Sequence, residues 1–417
     1  MQTSVLFGQV QTLLFDCSEQ NGGCVMNTDS NPKRALPSRI VLTLSLGFFF
    51  IFFGVHSVER YAATYLGQEL AATIFMLVFG SLLLSDFASP VVISGLGQKK
   101  TLMLGAVIYA VLPLVVATKS AWLLYAYSLP MGFATAITWN SAFALINTHT
   151  TETNEGSSFG LLYMLYGLGS ALGLVVMGLS LKIGFSLKEG FLAVPLLMVI
   201  GIVLLATIRD NNRDVDRVYL RDVAGILKDT DLLRLITVPF TVFFLYATLT
   251  IAVTLHIEEL GGSYLVGFIS AWPFLLLAFS MVFGLLHDAA RDGKRVLISC
   301  GYLLGIGGLF LLIAVPGSIV AVGFAVLLIS ISSAMLMVAW SLLPALWPQS
   351  RLLAATAIFT CTDDLGGFAG FAVNSALSFS SVYIASTVVI LGSAALILKI
   401  LRNGFNTLKE RIHQRYL

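Results

Sequence analysis

The chain has 417 residues, of which 57% are hydrophobic and 11% are charged, and its formal net charge is +2. Ordinary soluble domains are about 25% charged, so this composition excludes a soluble enzyme, a nucleic-acid-binding protein and a disordered chain. The long apolar runs indicate a polytopic membrane protein, as does the mean hydropathy of +0.91.

Twelve apolar segments are long enough to cross a bilayer, since a helix of about 20 residues spans a hydrocarbon core of about 30 Å. The last two are divided only by a serine cluster, but one helix over 352–398 would be about 70 Å long, roughly twice what the bilayer allows. The period-two alternation of a membrane β-barrel is absent. The predicted spans are 40–58, 70–96, 101–118, 121–147, 157–181, 191–208, 235–255, 263–286, 296–315, 318–347, 352–379 and 382–398.

The placement of lysine and arginine predicts the orientation, because cytoplasmic loops carry an excess of both residues. With the N-terminus inside, only Arg60, Lys119, Lys182 and Lys188 face the outside. We therefore expect a multi-pass integral membrane protein with both termini in the cytoplasm. Its domains would be a cytosolic N-terminal tail (1–38), an N-terminal six-helix bundle (39–208), a cytosolic linker with a short amphipathic helix (209–234), a C-terminal six-helix bundle (235–398) and a cytosolic C-terminal tail (399–417).

The two predicted bundles carry matching features. The loop after the second span reads GLGQKKTLMLG and the loop after the eighth reads GLLHDAARDGKRVLISCG, so each places basic residues behind a glycine. Trp139 in the fourth span and Trp340 in the tenth lie at corresponding positions. Matches at two places in the same register favour a six-helix unit that is used twice.

Twelve spans, the division into six and six, and G-x-x-x-D followed by G-K-R after the eighth span resemble the major facilitator superfamily. The resemblance implies an all-α membrane fold of two six-helix bundles that carries a solute by alternating access. It also implies that the two loops brace the inner gate, although the first loop lacks the acid of the family's G-x-x-x-D-R-x-G-R-R pattern. The implied gate residues are Gly97, Lys99, Lys100, Gly284, Asp288, Gly293, Lys294 and Arg295.

Within that superfamily, the first half is most similar to the ion-channel regulatory branch that is named for the uncoordinated locus ninety-three. The similar stretches are LSLGFFFIFF in the first span and FGSLLLSDFASPVVISGLGQKKTLMLGAVIYA across the second and third. This resemblance implies an alternative function, in which the protein regulates a channel or escorts a membrane-protein partner and transports nothing. A secondary transporter of a small solute is the first interpretation.

Three acidic residues lie inside predicted spans, where a charge costs about 2.5–3.5 kcal/mol. Asp363 and Asp364 are near the middle of the eleventh span, and Asp86 lies in the second. In the fold that the chain resembles these spans pack across the junction between the halves, so the carboxyls would be close and at least one would be protonated. We predict a proton-coupling or cation-binding site. The alternatives are a packed interface with serine and threonine partners and, for Asp86, contact with water at headgroup level.

Two further sets of residues are candidates for binding and gating. An indole or an amide at the centre of a span suits an organic substrate, although tryptophan at this depth is also common in packing. Charged residues at the ends of the first and seventh spans form either an outer latch or solvated helix ends. The cavity candidates are Trp139, Asn140, Trp340 and Asn374, and the outer-gate candidates are Glu59, Arg60, Glu258 and Glu259.

Enzyme signatures give no support to a catalytic function. The sequence contains no H-E-x-x-H and no phosphate-binding G-x-x-x-x-G-K-[ST]. Its five histidines are scattered without metal-ligand spacing. We therefore expect no enzyme activity, no cofactor and no metal, with the lipid bilayer and a small-molecule substrate as the partners.

Overall fold

The computed structural model describes residues 38–149, 155–209, 230–277, 293–336 and 349–403, and the regular structure in these ranges is helical. Both predicted tails, apart from the ends nearest the bundles, and most of the predicted linker lie outside the described residues. So do Trp340, Gly284 and Asp288. The helices of the first half are α1 (Arg39–Leu66), α2 (Gln68–Leu96), α3 (Gln98–Ala117), α4 (Ala121–His149), α5 (Glu155–Lys182) and α6 (Leu187–Ala206).

The second half repeats this sequence of helices. Its first member, α7, consists of consecutive segments that include one π-helical turn. α11 ends at Ala376 and α12 begins at Phe379, so the predicted division at the serine cluster is confirmed. The helices are α7 (Thr230–Leu235, Thr237–Thr248, Leu249–Val253 and Thr254–Gly261), α8 (Ser263–Ser270 and Trp272–Leu277), α9 (Gly293–Ala314), α10 (Ile319–Leu336), α11 (Gln349–Ala376) and α12 (Phe379–Asn403).

Ten helices of the described part are long and apolar enough to cross a membrane. The remaining two predicted spans also lie on helices: α8, which is described as far as Leu277, and α11, whose apolar run is interrupted by its two aspartates. Several helices run beyond their predicted spans. The extension that matters for the site is in α1, which continues past residue 58 to Leu66 and buries its charged residues Glu59 and Arg60.

The same helix pairs pack together in both halves. α1 packs against α5 and α6, and its counterpart α7 packs against α11 and α12. Likewise α3 packs against α4 and α6, as α9 does against α10 and α12. The halves meet along α2 with α11 and along α5 with α8, two contacts that are related by the same correspondence. The fold is thus two six-helix bundles around a central junction.

A single glycine joins the first two helices of each half. Gly67 lies between α1 and α2 with φ 91°, and Gly262 lies between α7 and α8 with φ 86°. Only glycine adopts this backbone conformation without strain. The two joints lie at the same end of the bundle, which we call the Gly67 end.

Glycines also allow the halves to touch backbone to backbone. Where α5 crosses α8, a Cβ added to Gly267 would lie 3.1 Å from the Cα atom of Gly178 and closer still to the carbonyl oxygen of Leu174. Small residues at membrane-helix crossings permit such close approach, and the packing is by van der Waals contact. The α5–α8 crossing therefore holds the two halves together near the Gly67 end.

Candidate functional site

A cavity of about 230 Å³ lies between the two halves. A single water molecule needs only about 15 Å³ of such space, so the cavity has room for a small organic molecule. Its wall is mostly apolar and aromatic and receives side chains from both halves. The acidic and basic side chains in the wall are His56, Glu59, Arg60, Asp86, Asp363 and Asp364.

Three predicted coupling residues form one group in this wall, the carboxylate cluster (Asp86, Asp363 and Asp364). Each is 4% exposed or less. The side chains of Asp86 on α2 and Asp364 on α11 are within hydrogen-bonding range of each other. Asp363 lies within electrostatic range of Asp86. The structure therefore brings together the acids of the second and eleventh spans, at the junction between the halves.

The carboxylate cluster has more oxygen atoms than donors. Within the described part of the chain, Asp86 Oδ2, Asp363 Oδ1 and Asp364 Oδ2 have no hydrogen-bond partner, and no lysine or arginine forms an ion pair with the cluster. Two ionised carboxylates in contact repel each other strongly in a low-dielectric interior. A proton shared between Asp86 and Asp364 would remove this repulsion.

Asn140 supports the carboxylate cluster. Its Nδ2 donates to Asp86 Oδ1 at 2.9 Å and to Ser89 Oγ at 2.7 Å, which ties α4 to α2. Asn374 lies farther along α11, where its Oδ1 accepts from the Ala252 N–H at 3.2 Å in the π-helical turn of α7. Neither amide is among the residues that line the cavity in this structure, and both are engaged by protein groups, so substrate contact through them stays a prediction.

Trp139 is the predicted cavity residue that does lie in the wall. Its ring is 5.1 Å from Phe48, 5.4 Å from Phe52 and 5.2 Å from Tyr166, measured between centroids. Tilted and edge-to-face contacts at these distances are favourable between aromatic rings. Trp139 thus belongs to a packed aromatic group that also faces the cavity, and its contact with a substrate stays a prediction. Its predicted counterpart, Trp340, lies outside the described residues.

Arg60 is the centre of a second charged group, the arginine cluster (His56, Glu59, Arg60, Tyr246 and Phe274). The guanidinium carbon lies 4.7 Å from the ring centroid of Tyr246 and 5.5 Å from that of Phe274. Both rings come from the second half, whereas the arginine is on α1. Cation–π contacts of this kind contribute about 2 kcal/mol where the cation is desolvated. They cover the faces of the guanidinium but supply no hydrogen-bond acceptor.

Glu59 is engaged by a histidine. Its Oε2 lies 2.6 Å from His56 Nδ1, one turn earlier on α1. With Glu59 ionised, Nδ1 carries the hydrogen, because a carboxylate only accepts. The other ring nitrogen, Nε2, then accepts from the Tyr166 hydroxyl at 2.8 Å. The Tyr246 hydroxyl lies 3.3 Å from Nδ1, so this network also joins α1 to α7.

The predicted Arg60–Glu258 or Arg60–Glu259 contact is not formed among the described residues of this structure, although Glu258 does join the two halves. Glu59 and Arg60 are buried in the cavity wall, and within the described residues Arg60 forms no ion pair with Glu258 or Glu259. Instead, Thr64 Oγ1 donates to Glu258 Oε2 at 2.7 Å. The sequence predicts Glu59 and Arg60 to follow the first span because the apolar run of α1 stops at residue 58, whereas the helix continues to Leu66.

Further contacts close the cavity at the Gly67 end. Besides the Thr64–Glu258 hydrogen bond and the α5–α8 crossing, Gln68 Nε2 donates to the carbonyl oxygen of Asn374 at 3.0 Å. Each of these contacts joins the first half to the second. The two bundles are therefore in direct contact at the Gly67 end.

The inner-gate loops are described only in part. Gly97 has φ 87° and joins α2 to α3, whose first turn contains Lys99 and Lys100. Gly293, Lys294 and Arg295 begin α9 at the corresponding place, but their side chains are outside the described part, as are Gly284 and Asp288. Bracing of the halves by these loops stays a prediction.

Sequence reasoning missed His56, Tyr166, Tyr246 and Phe274. The aromatic residues have no signal of their own in a chain with 29 Phe and 13 Tyr. His56 did have one, because a histidine and an acid three positions apart lie on the same side of a helix. That spacing, inside an apolar run, could have indicated that α1 continues past its charged residues.

The family model of the Major Facilitator Superfamily matches residues 36–371. The chain belongs to the major facilitator superfamily. Among solved structures, the human organic anion transporter MFSD10 (TETRAN) is similar, with a TM-score of 0.65 and 14% identity over 86% of this chain and 99% of that one. At this identity the likeness concerns the fold alone. A search of curated proteins gives no match. The predicted superfamily and its all-α membrane fold are confirmed.

Proposed function

We propose that this major facilitator protein is a proton-coupled secondary transporter that moves a small organic solute by alternating access. The observation that carries the proposal is the contact between Asp86 and Asp364, which joins the two halves beside a cavity. The solved structure with a similar fold is that of a human organic anion transporter, which supports a small organic solute.

The proposed mechanism depends on the proton at this contact. With the proton present, Asp86 and Asp364 attract each other and favour the packing of α2 on α11. Without it, two negative charges face each other across the same junction and favour its separation. A proton that binds one arrangement of the halves more tightly than the other shifts the equilibrium between the two arrangements. A substrate shifts the same equilibrium when its affinities for the two arrangements differ. Coupling follows when both ligands act on one equilibrium.

Proton flux tests the proposal directly. Proteoliposomes that contain a pH-sensitive dye are exposed in turn to organic acids, organic amines and neutral solutes. We expect one class to drive proton movement in the wild type, and Asp363→Asn and Asp364→Asn each to reduce it by about 100-fold, since both remove a proton-binding site. Glu189→Gln is the matched control, because Glu189 caps α6 at the surface. Unchanged flux in both aspartate variants would contradict the proposal.

Regulation of a channel or of the traffic of a membrane-protein partner is the second candidate. It is favoured by the stretches of the first half that resemble the ion-channel regulatory branch and by the missing acid in the loop after α2. This function predicts no solute-driven proton flux with any of the three classes. It predicts instead a complex with another membrane protein that survives purification.

A further inference from the structure

Arg60 is a buried cation with two nitrogen atoms whose hydrogens are not used in hydrogen bonds among the described residues. Its side chain is 1% exposed, and neither Nε nor Nη2 has an acceptor among the described residues. Burying a charged group costs several kcal/mol unless it is paired and hydrogen-bonded. Glu59 lies within electrostatic range of Arg60 but forms its ion pair with His56. Among the described residues the two donors therefore have no acceptor, which indicates an acceptor from a ligand.

The two unused donors define the shape of that acceptor. The hydrogen on Nε and one hydrogen on Nη2 lie on the same edge of the guanidinium plane and point in the same direction, which matches the two oxygens of a carboxylate. Glu59 does not fill this position, because it is held by His56. We propose that the cavity binds an aromatic organic anion, with its carboxylate on this edge of Arg60 and its ring among the aromatic side chains of the wall.

The wall beside Arg60 supplies surfaces for the ring. Phe52 and Tyr166 meet edge to face at 4.7 Å between centroids, and Trp139 packs against both. Phe274 lies 4.5 Å from the His56 ring and 6.2 Å from Tyr166, so it connects this aromatic group to the arginine cluster. A planar ring gains more from such a wall than an aliphatic chain does, because ring edges and faces attract each other.

In the described state the second half covers the guanidinium. Tyr246 comes from α7 and Phe274 from α8, and both lie over Arg60 of α1. Separation of the halves at the Gly67 end would uncover the two donors. An aromatic anion therefore binds more tightly to the state that is open at this end, which is the difference in affinity that alternating access requires.

An organic cation on the carboxylate cluster is the competing ligand. It would need an ionised carboxylate in a cluster where Asp86 and Asp364 repel each other when both are charged. Glu59, the acid next to Arg60, is engaged by His56. The two donors of Arg60 are thus left for an acceptor from a ligand, which favours the anion. This inference rests on the proposed function only in treating the cavity as the substrate site.

Three ligands with the same naphthalene ring test the inference. They are 2-naphthoate, 2-naphthylmethylammonium and 2-naphthylmethanol, and their affinities are measured by equilibrium binding to the purified full chain in lipid nanodiscs. We expect the carboxylate to bind at least about tenfold more tightly than the amine or the alcohol. A preference for the amine, or no binding of the carboxylate, would overturn the inference.

Substitutions at Arg60 locate the carboxylate. We expect Arg60→Gln to weaken 2-naphthoate about 100-fold, and Arg60→Lys to weaken it about tenfold, since lysine keeps the charge but lacks the two parallel donors. Arg39→Gln, an exposed position on the same helix, serves as the matched control. Wild-type affinity in Arg60→Lys and in any folded Arg60→Gln would contradict the inference, and thermal unfolding without ligand shows whether each variant is folded.

The two proposals fail in different ways. If 2-naphthoate binds with the expected dependence on Arg60 but moves no protons, the site is supported and the coupled transport is not. If an amine drives proton flux that depends on Asp364, whereas 2-naphthoate does not bind, the transport is supported and the aromatic anion is not.

Discussion

The two charged clusters of the cavity are stabilised in opposite ways. In the arginine cluster, aromatic rings cover the cation and a histidine holds the acid, so its charges have neighbours of suitable chemistry. In the carboxylate cluster, groups of the same charge face each other, and only a proton removes their repulsion. The comparison contrasts a cation that is covered by aromatic rings with acids whose repulsion a proton would remove.

Both clusters lie at contacts between the halves. The rings over Arg60 belong to α7 and α8, and the acid that touches Asp86 belongs to α11. A relative movement of the two halves therefore changes both clusters at once. In the proposed cycle the arginine cluster selects the ligand, whereas the carboxylate cluster determines how a proton biases the movement.

Asp86→Asn separates these two roles and has the largest expected effect. Asparagine has the shape of aspartate but does not ionise, so the α2–α11 junction no longer responds to protons. We expect ligand-driven proton flux in proteoliposomes to fall about 100-fold, while the affinity for 2-naphthoate in nanodiscs stays within about threefold.

An equal loss of flux and of affinity in Asp86→Asn would contradict the division of roles, since it would place the ligand on the carboxylate cluster. Glu189→Gln again serves as the control, because it neutralises an acid at the exposed start of α6 and leaves the cavity unchanged.

Asn140→Ala tests how the carboxylate cluster is anchored. The variant removes the donor to Asp86 Oδ1 and to Ser89, and hydrogen bonds to a charged group contribute about 2 kcal/mol. We expect a loss of unfolding free energy of this size in detergent. Its matched control is the neighbouring Ser141→Ala, since the buried Ser141 hydroxyl has no partner among the described residues. Equal losses in both variants would show that Asn140 acts by packing alone.

Sequence reasoning predicted the fold and the carboxylate cluster for the same reason. Long apolar runs predict membrane helices, and an acidic residue inside such a run is rare because its charge is costly to bury in a bilayer. Asp86, Asp363 and Asp364 are such residues. The meeting of these acids across the junction followed from the resemblance to a known fold. Hydropathy could not give the arginine cluster, because burial of Glu59 and Arg60 depends on tertiary contacts that no local pattern contains.

The two asparagines illustrate the same limit. Asn140 and Asn374 both lie within spans, and the sequence predicts a polar substrate contact for each. One instead supports an acid on α2, and the other accepts from the π-helical turn of α7. An amide in a membrane interior indicates a hydrogen bond, but whether the partner is a ligand or a neighbouring helix depends on packing that the sequence does not reveal.

His56 gives the last and smallest test, at the arginine cluster. In His56→Leu, Glu59 loses the His56 donor on its Oε2 and can turn towards Arg60, where it competes with the carboxylate of a ligand. We expect the affinity for 2-naphthoate to fall about tenfold, or about 1.4 kcal/mol. His56→Gln keeps a donor on the same side of α1, so its affinity should stay within about threefold of the wild type. If both variants lose affinity equally, the histidine contributes its ring to packing with Phe52 and Phe274, and the hydrogen bond to Glu59 does not control the charge at Arg60.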